Sequence, residues 1–349
     1  MKNNIKKTYI CRSIKEFRVI SDLPAGYIPQ AGDVGIFEIV SLGKHKTVQG
    51  DEKRNVTIIP GDMIMAAFGT RYATAQFEGY LPKDLNEELV ILGAGGTIGT
   101  LASMHDRFAK TGPTSLKMIG LVANHKGEII NTKSLGKPGM LRFSGAAAAA
   151  TKVILSLGSS MDSGKTTSAA YLVRGLKEAG YRVAFIKLTG TVYTKDCDLA
   201  KDLGAVVTSD FSDLGYPSTY MCGEHELLDL FESLLAQVLP FGPDYVVMEI
   251  ADGLYERETK MLLTNPHFMS TIHKVIFSAG DSLSAVSGVR ILNGWGIYPA
   301  LLCGLFTTSP LLIKEVRENC TVPVCTLDEL RNAAIVSGFS FHTALSTAN

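Results

Sequence analysis

The sequence predicts an α/β chain in which a doubly wound, mostly parallel sheet follows a small β-rich domain of barrel or sandwich type. Three observations predict it. From residue 151 onward, near-continuous apolar runs alternate with helical patterns, as expected of strands covered by helices on both faces. Between residues 25 and 122, short strand-like runs are separated by Gly, Pro and Asp turns with no long helix among them. Between the two, charge and periodicity fall away over 124–151, past Gly127, Gly136, Pro138 and Gly139 to Ser144-Gly145 and five alanines. The division is placed at 1–145 for the β-rich domain and 146–349 for the second.

In the first domain, residues 1–20 suggest a short strand or arm. Gly35–Val40, Val56–Ile59, Met63–Phe68 and Leu116–Val122 read as strands. Leu89–Leu92 leads into Gly93-Ala-Gly95-Gly96-Thr-Ile-Gly99, which resembles a dinucleotide fingerprint but has the wrong spacing. No βαβ unit with a downstream acid follows it, so a tight turn or bulge is expected there.

In the second domain, Val153–Leu157 is a buried-type strand, followed by Gly158-Ser159-Ser160-Met161-Asp162-Ser163-Gly164-Lys165-Thr166-Thr167. A helical pattern then places Ala169, Leu172, Val173 and Leu176 on one face, Gly180 ends it, and Arg182–Lys187 returns as a strand. Small residues let successive backbone N–H groups curl around an anion, and the helix N-terminus adds positive potential. The pattern is that of a phosphate loop. Its first glycine stands one position early, with Ser159 where the usual spacing has Gly. Further strands are expected at Ala205–Thr208, Tyr245–Glu249, Val275–Ala279 and Ala300–Leu305, with a helix over Glu224–Leu239.

Composition bounds the function. The 349 residues are 46% hydrophobic and 19% charged with a formal net charge of zero, which argues against a generally basic nucleic-acid binder. The basic stretch 1–18 lacks the apolar core of a secretory signal, and the longest uncharged run, Ile291–Ile313, is broken by Gly and Pro. A cytoplasmic protein without membrane contact is expected. The six cysteines form no C-x-x-C pair, so reduced thiols are expected rather than disulfides or zinc.

Ligands of doubly wound sheets bind beyond the carboxyl ends of the strands. Lys187, Asp210, Glu249 and Asp281 end or follow strands and are expected to converge. Lys165 is expected to bridge the β- and γ-phosphates, Thr166 to hold Mg²⁺, and Ser163 and Gly164 to donate N–H groups. Asp162 either orients a nucleophile or a metal-bound water, or caps the loop. Glu249 reads as a Mg²⁺ ligand, Asp210 as a further one, and Lys187 as a cation for a transferring phosphoryl group or an acidic substrate. Thr189, Thr191, Ser218 and Thr219 are candidate substrate contacts. Asp252, Glu256, Arg257 and Glu258 read as a charged helix start, with Arg257 a candidate phosphate partner. Ser309-Pro310 reads as an N-cap followed by Pro at the first helical position.

Over roughly 151–335 the chain resembles the dethiobiotin synthetase-like branch of phosphate-loop NTPases, which includes cobyrinic acid amide synthetases and the adaptor of molybdopterin-guanine-dinucleotide synthesis. The residues carrying the resemblance are the early Gly158, the strand-ending Lys187, and Glu249 at the end of a Walker-B-like strand. The branch has E-G-A-G-G where this chain has Glu249-Ile-Ala-Asp-Gly253, so substrate identity does not carry over. The related partitioning ATPases carry a lysine where this chain has Ser160. Asp162-Ser-Gly-Lys-Thr also resembles the loop of polynucleotide 5′-hydroxyl kinases, but their next strand ends in D-x-G-Q, against Lys187-Leu-Thr-Gly190 here.

The resemblance implies a Mg²⁺-dependent enzyme using ATP, or GTP, to phosphorylate or activate a small molecule, with homodimerisation expected. It places the nucleobase near Phe306-Thr307-Thr308-Ser309, with Thr307 as the candidate contact. A regulatory NTPase acting through a partner protein and a 5′-hydroxyl kinase are the alternatives.

Overall fold

The computed structural model describes residues 5–22, 26–135 and 139–338. Gly136 and Pro138 of the expected linker, and the chain ends 1–4 and 339–349, lie outside the described residues. The chain divides into two compact units: the first comprises 1–140 with 189–194 and 210–223, the second 141–188, 195–209 and 224–349.

The first unit holds β1 (Ile5–Lys7), β2 (Arg18–Ile20), β3 (Val34–Ser41), β4 (Thr47–Gln49), β5 (Asn55–Thr57), β6 (Met63–Phe68), β7 (Phe77–Tyr80), β8 (Leu89–Gly93), β9 (Thr97–Met104) and β10 (Ser115–Ala123). Pairing runs β6–β3–β10–β8–β9, and β9 pairs back onto β6, so the ladder closes into a ring. β1 and β7 remain as outer strands, on β6 and β9 respectively. Phe37, Ile39, Ile64, Phe68, Ile91 and Ile98 fill the interior. The Gly93–Gly99 segment is the reversal between antiparallel β8 and β9, with Gly96 at φ +107°. A strand, not a helix, follows it.

Segments 189–194 and 210–223 belong to this unit because their backbones are bonded into it. Gln49 Nε2 donates to Thr194 Oγ1 at 2.8 Å while Thr194 N donates to Gln49 Oε1 at 3.1 Å. Thr97 Oγ1 donates to Pro217 O at 3.0 Å. Thr191 pairs with Ser218, and Gly190 N donates to Thr219 Oγ1 at 2.9 Å, so these four Ser/Thr positions include three that tie the two segments together.

The second unit runs β11 (Lys152–Gly158), α1 (Lys165–Glu178), β12 (Val183–Lys187), α2 (Lys195–Asp202), β13 (Val207–Asp210), α3 (Glu224–Val238), β14 (Tyr245–Glu249), α4 (Arg257–Leu263), α5 (Pro266–Met269), β15 (Ile272–Ser278), α6 (Ser282–Gly294), β16 (Leu301–Cys303), α7 (Pro310–Asn319), α8 (Leu327–Leu330) and α9 (Ala333–Gly338). Strand order is β13–β12–β14–β11–β15–β16, and the β11–β14, β11–β15, β12–β14 and β15–β16 pairings are parallel. Ala169, Leu172, Val173 and Leu176 of α1 are buried in one core with Ile154, Phe185 and Val247. Each large apolar side chain buried this way contributes about 1.5–3 kcal/mol, which fixes α1, and with it the loop at its start, against the sheet.

Two strands differ from the sequence expectation for local reasons. The third begins at Val207 because Ala205 N still bonds back to Ala200 O, completing the end of α2. The sixth stops at Cys303, because Gly304 at φ +104° turns the chain into a short 3-10 helix, Leu305–Thr308. Among the described residues no helix is long and apolar enough to cross a membrane, and all six cysteines are free thiols.

The Ser144–Ala150 stretch is docked rather than loose. The carboxylate of Glu232 on α3 accepts from Ser144 Oγ and Ala147 N at 3.0 Å each and from Gly145 N at 3.0 Å. Burial alone would raise the Glu232 pKa, but the bonds from Ala147, Ser144 and Gly145 together hold it below the ordinary value. A depressed carboxylate stabilises the fold above its unfolded pKa, and that contribution is lost as pH falls through the folded one. Glu232→Ala is expected to cost about 3 kcal/mol in urea unfolding at pH 7, and less at pH 3. An equal loss at both values would show that the charge is not what holds the segment.

Candidate functional site

The site is built at the carboxyl ends of β11, β12 and β14. Register places Glu249 directly beside Ser156 of β11 on one side and Lys187 of β12 on the other. Glu249 is 2% exposed. Its Oε1 accepts from Thr166 Oγ1 at 3.0 Å and lies 3.9 Å from Lys187 Nζ, while its Oε2 is buried without a hydrogen-bond partner. A buried carboxylate oxygen left unbonded is costly unless something cationic joins it.

The loop from Gly158 to Thr167 is shaped by close approach. A Cβ at Gly158 would lie 2.4 Å from Ser163 Oγ and 2.5 Å from Lys165 Cγ, so the early glycine is the one against which the lysine stem packs. That accounts for glycine at 158 and for the tolerance of Ser159, whose N–H is tied to Ser278 O at 2.9 Å. Gly164, at φ +93°, precedes the first helical residue, Lys165. Asp162 is exposed, with φ +62°, a left-handed conformation that Asp tolerates better than most residues. Ser163 is buried, and Met161, Thr166 and Thr167 are half-buried.

Lys165 is 6% exposed and donates from Nζ to Ser160 O at 2.7 Å, so its ammonium is folded into the loop. Burial lowers its pKa, opposed by the carboxylates of Glu249, Asp252 and Asp162 and reinforced by Lys187. Asp252 therefore acts on the lysine, a role that its reading as part of a helix start missed. The signal was local: Asp252, at φ +58°, precedes Gly253, whose added Cβ would lie 2.5 Å from Ser159 O. The loop after β14 thus lies against the backbone of Ser159 and Ser160.

Lys187 is 13% exposed at its side chain and paired to Asp196, in the first turn of α2, as well as facing Glu249. Asp196 was not singled out from the sequence; an acid in the first turn of a helix ordinarily serves the helix dipole.

Other expected residues are placed differently. Asp210 falls in the first unit and caps the 3-10 helix Phe211–Leu214, accepting from Ser212 N at 2.7 Å, while Asp213 accepts from Asp210 N. Burial and the Asp213 charge raise the Asp210 pKa. Asp281 caps α6 through Ser284 N at 2.8 Å. Of the four residues expected to converge, the second unit brings together Lys187 and Glu249. Among the described residues no group of three or more His, Cys, Asp or Glu is arranged to hold a metal ion. Glu249, bonded to Thr166 through Oε1 and unbonded at Oε2, fits such an ion.

Thr307 is 8% exposed, and its hydroxyl donates to Gly304 O at 2.8 Å, closing its own turn. That turn lies against the loop, since Leu305 N donates to Ser163 O at 3.0 Å and a Cβ on Gly164 would lie 3.0 Å from Gly304 Cα. Ser309 caps α7 with Pro310 at its first position, and Arg257 is paired with Glu258.

Glu256 is 7% exposed and caps α4 through Thr259 N at 2.6 Å. Burial, then the neighbouring Glu258, push its pKa up to about 8. The folded chain thus keeps a proton that the unfolded chain releases near the ordinary value of 4.5, and stability falls as pH rises from about 4.5 to about 8. Glu256→Gln, neutral throughout, is expected to flatten that slope by several degrees of Tm between pH 5 and 8.5. An unchanged slope would place the titration elsewhere.

No family model matches the chain, and no curated protein matches it. Among solved structures, the signal recognition particle receptor FtsY from Elizabethkingia anophelis is 17% identical, over 55% of this chain and 56% of that one, with a TM-score of 0.30. The 54 kDa signal recognition particle protein from Aeropyrum pernix K1, in complex with GDP, is 15% identical over 59% of this chain and 41% of that one, with a TM-score of 0.30. A DUF1611 family protein from Anabaena variabilis ATCC 29413 is 15% identical over 59% of this chain and 62% of that one, with a TM-score of 0.37. This chain thus spans little more than half the length of the receptor. Superposition at this level carries no argument about activity, and the phosphate-loop reading rests on this chain's own strand, loop and helix.

Proposed function

We propose that the chain is a Mg²⁺-dependent NTP-using enzyme, with ATP the expected nucleotide and GTP the alternative, that phosphorylates or activates a small molecule. The observation that carries this reading is the buried Glu249, bonded to the helix-start Thr166 through one oxygen, unbonded at the other, and backed by Lys187. Gly158 to Thr167 would cradle the phosphates through backbone N–H groups at the start of α1. Lys165 would leave Ser160 O to meet the terminal phosphates. Thr166 and Glu249 would hold Mg²⁺, which would supply positive charge to offset what develops on the transferring group. Asp210, committed to its cap, is given no metal role.

Lys187 would offer its ammonium to the substrate or the transferring phosphoryl group once an anion draws it from Asp196. This favours chemistry on an added substrate over simple hydrolysis. Lys187→Ala is therefore expected to lower kcat by about 10²-fold with little change in nucleotide KM.

The test is Mg·ATP and Mg·GTP turnover by the purified full chain, alone, with pooled cell metabolites and with 5′-hydroxyl oligonucleotides, using Lys165→Ala as the blank. Stimulation by a metabolite fraction is the expected result. Tight nucleotide binding with no stimulation would replace this reading with a regulatory NTPase, and label on the oligonucleotide would replace it with a polynucleotide kinase.

A further inference from the structure

The first unit contains a cationic cluster that takes no part in the nucleotide site. Lys44 and His45 follow β3, Arg71 and Gln76 lie between β6 and β7, Phe77 opens β7, and Arg107 and Phe108 lie in the 3-10 helix Asp106–Phe108 after β9. The Lys44 amine donates to Gln76 Oε1 and lies 3.3 Å from His45 Nε2. It stands 5.2 Å and 5.5 Å from the ring centroids of Phe77 and Phe108. Gln76 Oε1 also accepts from Arg71 Nη2 at 2.7 Å, which brings the guanidinium alongside the amine. His45 is 7% exposed, and its Nδ1 has no hydrogen-bond partner.

Gln76 Oε1 and the two ring faces accept an ammonium ion, but burial and the neighbouring guanidinium groups disfavour one. Burial against the two rings is the larger effect, and the charges acting on Lys44 are the guanidinium groups of Arg71 and Arg107, both repelling. Together they bring the Lys44 pKa down to about 7. Burial, then Lys44 and Arg71, keep His45 neutral, well below its ordinary pKa. An amine desolvated beside other cations is the arrangement that turns lysine into a nucleophile near neutral pH. Two guanidinium groups around it favour an electrophile that carries negative charge.

We infer that Lys44 is a nucleophilic amine that condenses with the carbonyl carbon of a small 2-oxo acid, whose carboxylate is drawn to the exposed Arg107 and to the charge of Arg71, which itself bonds Leu92 O and Gln76 Oε1. The neutral nitrogen attacks the carbonyl carbon, an N–C bond forms, and the carbonyl π pair passes to oxygen. Neutral His45, with Nε2 beside the amine, takes the proton the nitrogen loses and returns one to that oxygen. Water then leaves, a C=N bond forms, and nothing is oxidised or reduced. The site is independent of the nucleotide reading.

The test treats the full chain with pyruvate and cyanoborohydride, which reduces the imine to a stable secondary amine, and maps labelled lysines by peptide mass spectrometry from pH 5 to 10. Lys44 is expected to label with a midpoint near pH 7. At pH 7 it should label on the order of a hundredfold faster than the exposed Lys46 and Lys110, and faster with pyruvate than with uncharged acetone. Arg107→Ala, which removes an exposed guanidinium, should raise that midpoint and narrow the preference for pyruvate; Lys165→Ala should change neither. Labelling of Lys44 no faster than of Lys46 would overturn the inference, as would equal rates with pyruvate and acetone or a profile unmoved by Arg107→Ala.

Discussion

Lys165→Met is expected to lower NTP turnover by about 10³-fold while leaving the melting temperature within a few degrees of the parent. The methionine side chain keeps the apolar stem that packs on Gly158, so the loop loses a charge rather than its filling. What goes is a cation that Glu249, Asp252 and Asp162 all act on. Removing it leaves those carboxylates facing the place where a polyphosphate would lie, so affinity should fall together with turnover. Nucleotide titration and single-turnover hydrolysis, each paired with a thermal melt, separate the two effects. Turnover retained in a folded variant would mean that NTP chemistry is not done at this loop.

Glu249→Gln is expected to give the second large effect, a loss of about 10²–10³-fold in turnover with the Mg²⁺ dependence shifted to much higher concentration. The amide oxygen still accepts from Thr166, which sits 3.0 Å from Oε1, so the start of α1 keeps its tie to β14. The amide nitrogen, however, replaces an acceptor with a donor at the oxygen that has no partner, or faces the Lys187 ammonium if the group flips. The nitrogen cannot ligate a metal, and in the flipped orientation the neutral amide oxygen would hold it more weakly than the carboxylate. Nucleotide binding without Mg²⁺ should be unchanged or slightly tighter, because a negative charge beside the phosphates has gone. Turnover measured against Mg²⁺ concentration checks this, and an unshifted dependence would remove Glu249 from the metal site.

The Gly158–Thr167 turn and the strand-end carboxylate were legible because each depends on residues adjacent in sequence. Gly158 to Thr167 is one contiguous turn into a helix. Glu249 announces itself at the end of an apolar strand, and Lys187 does the same on the neighbouring strand. Parallel strands start and stop together at the same edge, so residues that end them become neighbours through register alone. Asp210 shows where that reasoning stops. It also follows a strand, but the chain around it turns into a short helix within the first unit, and the same carboxylate that suits a metal suits a cap equally well.

By itself, the sequence determined the two kinds of architecture, the turn of Gly158–Thr167 between a strand and a helix, the buried face of α1 and the pair Lys187 and Glu249, all of which follow from local periodicity, turn chemistry and strand ends. Only the tertiary structure decided that β6 and β9 close a ring and that segments 189–194 and 210–223 belong to the first unit. It alone showed that Asp196 neutralises Lys187, that Asp252 acts on Lys165, and that Lys44, Arg71 and Arg107 gather from three segments around two phenylalanine rings. Electrostatic and packing contacts of this kind depend on distance in space, to which separation along the chain is no guide.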